Sequence, residues 1–178
     1  MAQPVEFDSN SDGSVSAYPD KSQPAIKVRQ LLFSEIFAKA AKAKEKKDKI
    51  KILREEDCSA LRQICKWAYD PKIKSDLPSG IPPFIPNSAP EGTEHMLLRT
   101  EGDKLWHYVN ISGKSADPNI QSTVRERMFI RLLEGLHKDE AELLCAVKDK
   151  TLHRVYKGLS TQVVTAAFGW NEDFVLSK

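Results

Sequence analysis

Apolar residues along the chain recur mostly at intervals of three and four, the spacing that lines one face of an α-helix. Pro24 suits a first helical turn, and Ile26, Leu31, Leu32, Ile36, Phe37 and Ala40 after it predict a helix over about 25–44. A lysine-rich stretch with Ile50, Ile52 and Leu53 predicts a second over 46–56. Asp57 is placed to cap a third, in which Leu61, Ile64, Cys65 and Ala68 share a face and which the Asp70–Pro71 pair ends. Helical spacing returns over 93–108 (Met96, Leu97, Leu105, Trp106), with a break expected at Gly102. Residues 112–118 read as a polar loop. Helices then follow over 119–134, closed by Gly135, and over 138–148, with Leu143, Leu144 and Val147 inward. A short turn at 152–156 stops at Gly158, and a last helix over 161–168 lies between a Ser160 cap and Gly169. Period-two alternation is almost absent. The expected fold is therefore all-α, one domain of about six to seven helices over 25–178.

Two segments depart from this pattern. Residues 1–24 are rich in Ser, Asp, Asn, Gly and Pro and hold only isolated apolar residues, so they read as a flexible polar tail. Residues 71–92 hold six prolines (71, 78, 82, 83, 86 and 90), too many missing donors for a helix or a central strand. The interleaved Ile73, Leu77, Ile81, Phe84 and Ile85 predict a stiff extended ribbon packed on the domain, between N-terminal helices over 25–70 and C-terminal helices over 93–178.

Composition narrows the function classes. The 178 residues suffice for one core, and 40% apolar with 29% charged residues is ordinary for a globular protein. A formal net charge of +2 gives no whole-molecule attraction to nucleic acid or to an anionic membrane. No apolar run reaches the ~18 residues of a membrane span, so no membrane partner is expected. The first twenty residues carry Glu6, Asp8, Asp12 and Asp20 and no base, unlike a signal peptide. Three cysteines without close pairing suit a reducing cytosol.

Candidate chemistry is sparse. Asp8, Asn10, Asp12 and Gly13 match the first half of a calcium loop, but its twelfth position, which should supply a bidentate carboxylate, is Pro19. Gly113-Lys114-Ser115 resembles the end of a phosphate loop, yet Tyr108 stands where its first glycine belongs, and a polar turn is the better reading. Asn110-Ile111-Ser112 is a glycosylation sequon without meaning in a cytosol. Cys58, Cys65 and Cys145 form no CxxC pair, and His95, His107, His137 and His153 lack the i, i+4 spacing of a metal site. Cys65 and Cys145 fall on apolar stripes and read as core. No catalytic residue, metal ligand or cofactor is expected, although a Cys–His pair assembled by the fold stays open. One feature carries weight. Between residues 39 and 54 eight bases (Lys39, Lys42, Lys44, Lys46, Lys47, Lys49, Lys51 and Arg54) face two acids, Glu45 and Asp48, a local excess of six. Such a face is a candidate for phosphate contacts or for an acidic partner surface. A helix-turn-helix over the later helices is disfavoured, because residues 138–150 are mixed in sign.

Two blocks carry a resemblance. They are Leu53 to His95 (LREEDCSALRQICKWAYDPKIKSDLPSGIPPFIPNSAPEGTEH) and Arg125 to Phe174 (RERMFIRLLEGLHKDEAELLCAVKDKTLHRVYKGL, then AAFGWNEDF). They are similar to a family of small proteins of T4-like tailed phages, particularly those of marine cyanobacteria. The family carries no catalytic assignment to transfer. The resemblance implies a phage product made in the host cytoplasm, with phage or host proteins as partners, and hence a non-enzymatic interaction protein of the virion or its assembly. The alternative is a replication or transcription factor that contacts DNA or polymerase through the Lys39–Arg54 face. An enzyme with a fold-assembled site ranks third. Oligomeric state and partner are not legible.

Overall fold

A computed structural model describes residues 30–88, 90 and 95–169. The tail over 1–24 and the calcium-loop fragment within it lie outside the described residues. Eight α-helices are found among those residues: α1 (Phe33–Lys42), α2 (Lys46–Glu55), α3 (Ser59–Tyr69), α4 (Leu98–Glu101), α5 (Ser122–Gly135), α6 (Lys138–Lys148), α7 (Leu152–Val155) and α8 (Thr161–Phe168). A 3-10 helix, Gly102–Tyr108, continues α4. The core gathers Ile36, Phe37, Leu61, Ile64, Trp67, Leu105, Leu133, Leu144 and Val164, each at most 1% exposed. Ile36, Phe37, Leu61, Ile64, Leu105, Leu133 and Leu144 lie on the apolar stripes that predict the helices, so the helical reading holds for most of the described residues.

The structure is not purely α-helical. Strands β1 (Ile73–Ser75), β2 (Val109–Ile111) and β3 (Lys114–Ser115) form an antiparallel sheet in the order β1-β2-β3. Ser112 and Gly113, both at positive φ (52° and 90°), make the two-residue turn between β2 and β3. The expected polar loop over 112–118 is therefore in part a hairpin, and Gly113-Lys114-Ser115 belongs to that hairpin. Strand β1 lies inside the proline-rich segment but at the sheet edge, after Pro71, where a proline-bounded strand is tolerated.

Several helix ends also move. The helix predicted over about 25–44 is found as α1 from Phe33; residues 30–32 precede it without helix, Leu32 being extended with ψ 151°, and residues 25–29 lie outside the described residues. Cys58, not Asp57, occupies the N-cap of α3, while the Asp57 carboxylate pairs with Arg62. Residues 95–97 precede α4 without helix, and only 98–108 is helical, mostly 3-10. There Gly102 lies against Ala60 of α3, and a Cβ on it would fall 2.2 Å from the alanine Cβ. Gly135 is the last residue of α5 and not its terminating cap.

Neither α1 nor α4 has a polar side chain at its N-cap, which is Leu32 in one and Leu97 in the other. Glu140 of α6, 3% exposed, supplies both. Its two carboxylate oxygens accept from Phe33 N at 3.0 Å and from Leu98 N at 3.3 Å, the first amide of each helix. A buried anion at two helix N-termini is satisfied by donors and by both dipoles.

Candidate docking cleft

The ribbon over 77–88 is fixed by donors and acceptors from the helices beneath it. Lys148, its side chain 1% exposed, donates to Pro78 O at 2.7 Å and pairs with Asp149 at 2.5 Å. Asp149 also accepts from Gly80 N at 3.3 Å, and Glu134 accepts from Ile85 N at 3.3 Å. Asn87 forms an isolated bridge to His137. The prolines hold the backbone extended between these points. The ribbon is only partly packed, however. Leu77 and Phe84 rest on the core, whereas Ile81 and Ile85 are 75% and 78% exposed. With φ fixed at the prolines and the backbone tied through one carbonyl, Pro78 O, and two amides, Gly80 N and Ile85 N, the Ile81 and Ile85 side chains are held outward.

Between the ribbon and the helices lies a cleft of about 910 Å³. Ser34, Glu35 and Ala38 of α1 form one wall, Asp139, Glu142, Leu143, Cys145, Ala146 and Asp149 of α6 and its end form the base, and Val155 and Tyr156 close one side. The ribbon contributes Ile81, Phe84 and three prolines. Among the described residues four carboxylates line this space, and no Lys, Arg or His does. Glu35 accepts from Leu32 N at 2.8 Å, and the exposed Glu142 has Lys138 at 4.0 Å along its own helix. Burial pushes the Cys145 thiol up to about 11 and the Tyr156 hydroxyl up to about 12, so both stay protonated at neutral pH. Cys145 contributes an apolar surface to the base of the cleft. Cys65 is fully buried and its thiol is shifted upward in the same way, while Cys58 Sγ accepts from Arg99 Nη1 at 3.4 Å and meets no histidine.

The basic residues are distributed otherwise than their sequence suggests. Lys39, Lys42, Lys44, Lys46, Lys47 and Lys51 are exposed. Lys49 is 9% exposed and donates to Ala41 O at 3.2 Å. Arg54 donates to Ala166 O at 2.7 Å and to Ala167 O at 2.9 Å, at the C-terminus of α8. Its cation there meets the negative end of a helix dipole. Lys51 stands 3.9 Å from Glu55. A shallow depression of about 560 Å³ beside α2 is bordered by Lys47, Ile50, Lys51, Arg54, Glu55 and Ala166. Of the eight bases, the predicted face thus keeps six lysines (Lys39, Lys42, Lys44, Lys46, Lys47 and Lys51) toward solvent and ties two side chains to carbonyls, Lys49 in a buried position and Arg54 in an exposed one.

Two further clusters exist. His107 Nδ1 lies 2.7 Å from Asp117, whose backbone carbonyl accepts from the buried Arg125 guanidinium at 2.6 Å. Arg125 also donates to His107 O at 2.8 Å and to Ser115 Oγ at 3.0 Å, so this group ties the hairpin to α5. Arg99 stacks over Phe33 at 4.9 Å and reaches Glu56, joining α4 to the start of α1 and the end of α2. Among the described residues no group of three or more His, Cys, Asp or Glu is arranged to hold a metal ion, and no helix is long and apolar enough to cross a membrane.

Residues 36–154 match the model of a family of unknown function, DUF6433. The chain belongs to that family. The matched region includes α2 to α6 with the ribbon, and so most of the cleft. No curated protein and no solved structure matches the chain.

The cleft carboxylates are absent from the residues singled out in the sequence. A signal for them exists: Asp139, Glu142 and Asp149, with the small Ala146, recur at helical spacing along one side of α6. Mixed charge in that helix conceals it, because the helical face and not the net charge decides which sign a neighbour meets.

Proposed function

We propose that this member of the family is a non-enzymatic interaction protein of a tailed phage, made in the host cytoplasm and associated with the virion or its assembly, which docks a partner over the ribbon and cleft. The observation that carries the reading is the ribbon itself. It is held at several backbone points, yet it presents Ile81 and Ile85 at 75% and 78% exposure beside a cleft of about 910 Å³. Large apolar side chains kept in water on a stiff support suit an interface, since their ordering entropy is spent before the partner arrives. The phage setting rests on the resemblance of the two sequence blocks. Buried, protonated Cys65 and Cys145 favour binding over nucleophilic chemistry. Mass spectrometry of purified virions tests the reading: the chain is expected at a reproducible copy number, and clean absence would sink virion association.

A second reading is favoured by the six lysines that stay exposed at Lys39, Lys42, Lys44, Lys46, Lys47 and Lys51. In it the chain is a replication or transcription factor whose basic face contacts DNA or polymerase. A DNA mobility shift that weakens with salt and is lost in Lys46→Glu, Lys47→Glu, Lys51→Glu supports it, each phosphate contact adding ~0.9 to the salt slope. Lys49 is left out of that variant because its ammonium ties α2 to α1.

A further inference from the structure

The docking reading leaves the chemistry of the partner open, and the cleft restricts it. We infer that the cleft receives a peptide segment of a partner protein that carries lysine or arginine beside an apolar anchor; this inference rests on the docking reading above. Three observations carry it. Among the described residues, Glu35, Asp139, Glu142 and Asp149 line the cleft and no cationic side chain does; Asp149 is paired with Lys148 beneath it, and the exposed Asp139 and Glu142 disfavour anionic ligands such as nucleotides or phosphopeptides. The remaining walls are apolar, among them Ile81, Phe84 and Leu143, so charge alone does not fill the space. Independently, Ile81 lines the same cleft and stays 75% exposed, so an apolar side chain of a bound segment has a fixed apolar surface to cover.

Other occupants fit less well. The first twenty residues of the chain carry four acids and no base and would meet like charge. A second copy could offer the lysines of α2, but its large exposed apolar residues all lie elsewhere, at Ile81, Ile85, Met96, Leu97, Ile111, Val124 and Val155. That face has charge without an anchor. A free polyamine would satisfy the carboxylates and leave the apolar walls and exposed Ile81 wet.

The test uses the full chain and fluorescein-labelled decapeptides read by anisotropy. A leucine–lysine decapeptide is expected to bind, while the same peptide with glutamate for lysine, or serine for leucine, binds at least about tenfold more weakly. Asp139→Lys with Glu142→Lys, both on exposed positions of α6, is expected to weaken the leucine–lysine peptide about five- to tenfold, because two attractive rim charges become repulsive. Glu45→Lys with Asp48→Lys, on α2, is the matched control and is expected to leave binding unchanged. Circular dichroism establishes that both variants are folded, and amide shifts in the bound state are expected around Ser34 and Ile81. The inference is overturned by equal binding of the lysine and glutamate peptides, by equal effects of the two charge reversals, by displacement with millimolar spermidine, or by a peptide-free dimer that occupies the cleft. Preference for the glutamate peptide would overturn this inference while leaving a docking cleft in place. Absence from virions would remove the particle association and leave the peptide preference as measured.

Discussion

Glu140 is the side chain whose removal the structure predicts most sharply. It accepts from the first amides of two helices that have leucine at their N-caps, Phe33 N at 3.0 Å and Leu98 N at 3.3 Å. Glu140→Ala leaves both donors without that acceptor, at ~1–3 kcal/mol each. It also removes a negative charge from the positive ends of two dipoles. Relief of the carboxylate's own desolvation offsets part of this, so the net loss is about 3 kcal/mol. For a domain of this size that lowers Tm by about 6–12 °C. Glu140→Gln keeps one carbonyl acceptor and turns an amide N–H₂ toward the other donor, so about half the loss is expected. Thermal and urea unfolding followed by circular dichroism measures both. Glu142→Ala, two residues along the same helix but exposed, is expected to shift stability by no more than ~0.5 kcal/mol. A Glu140→Ala shift below about 2 °C, or one equal to that of Glu142→Ala, refutes the account of one carboxylate capping two helices.

Other outcomes follow from the same packing. Gly102→Ala places a Cβ 2.2 Å from Ala60 Cβ and 2.8 Å from its Cα, and is expected to lower unfolding free energy by ~1–3 kcal/mol in urea titration. Lys148→Met removes the tie to Pro78 O and leaves Asp149 without its ammonium, so amide exchange at Gly80 should accelerate while exchange in α3 stays slow. Burial lowers the Lys150 ammonium to about 8, against the attraction of Asp70, so between pH 8 and its unfolded value near 10.5 the unfolded chain holds more protons. Wild type should therefore gain stability relative to Lys150→Met as pH rises through that window, and a flat or falling difference would contradict the assignment. Thiol titration of the native chain should find one fast cysteine, the half-buried Cys58, with Cys65 and Cys145 reacting only on unfolding.

What the sequence by itself determined is local. Helix α6 spans the predicted 138–148, and α8 spans the predicted 161–168, with Ser160 before it and Gly169 in the left-handed region at φ 61° after it. In both, apolar spacing and a terminating residue act within one element, so no distant contact is needed to specify them. That the proline-rich segment over 71–92 holds neither helix nor central strand among its described residues was legible for the same reason, because proline fixes φ and removes the donor wherever it stands. The sheet was not legible: β1 and β2 are three residues each, too short for a period of two, and Ile73 pairs with Ile111 across an intervening helix. Nor were the caps of α1 and α4, which come from a glutamate 107 and 42 residues away. The basic face shows the same division. Its charges are countable in the sequence, but only the packing of α2 against α1 and α8 decides that Lys49 and Arg54 are tied to carbonyls, the first buried and the second at the surface. The cleft belongs wholly to the tertiary structure. Its carboxylates come from α1, α6 and the turn after α6, its apolar wall comes from the ribbon, and only folding places one sign of charge around an apolar floor.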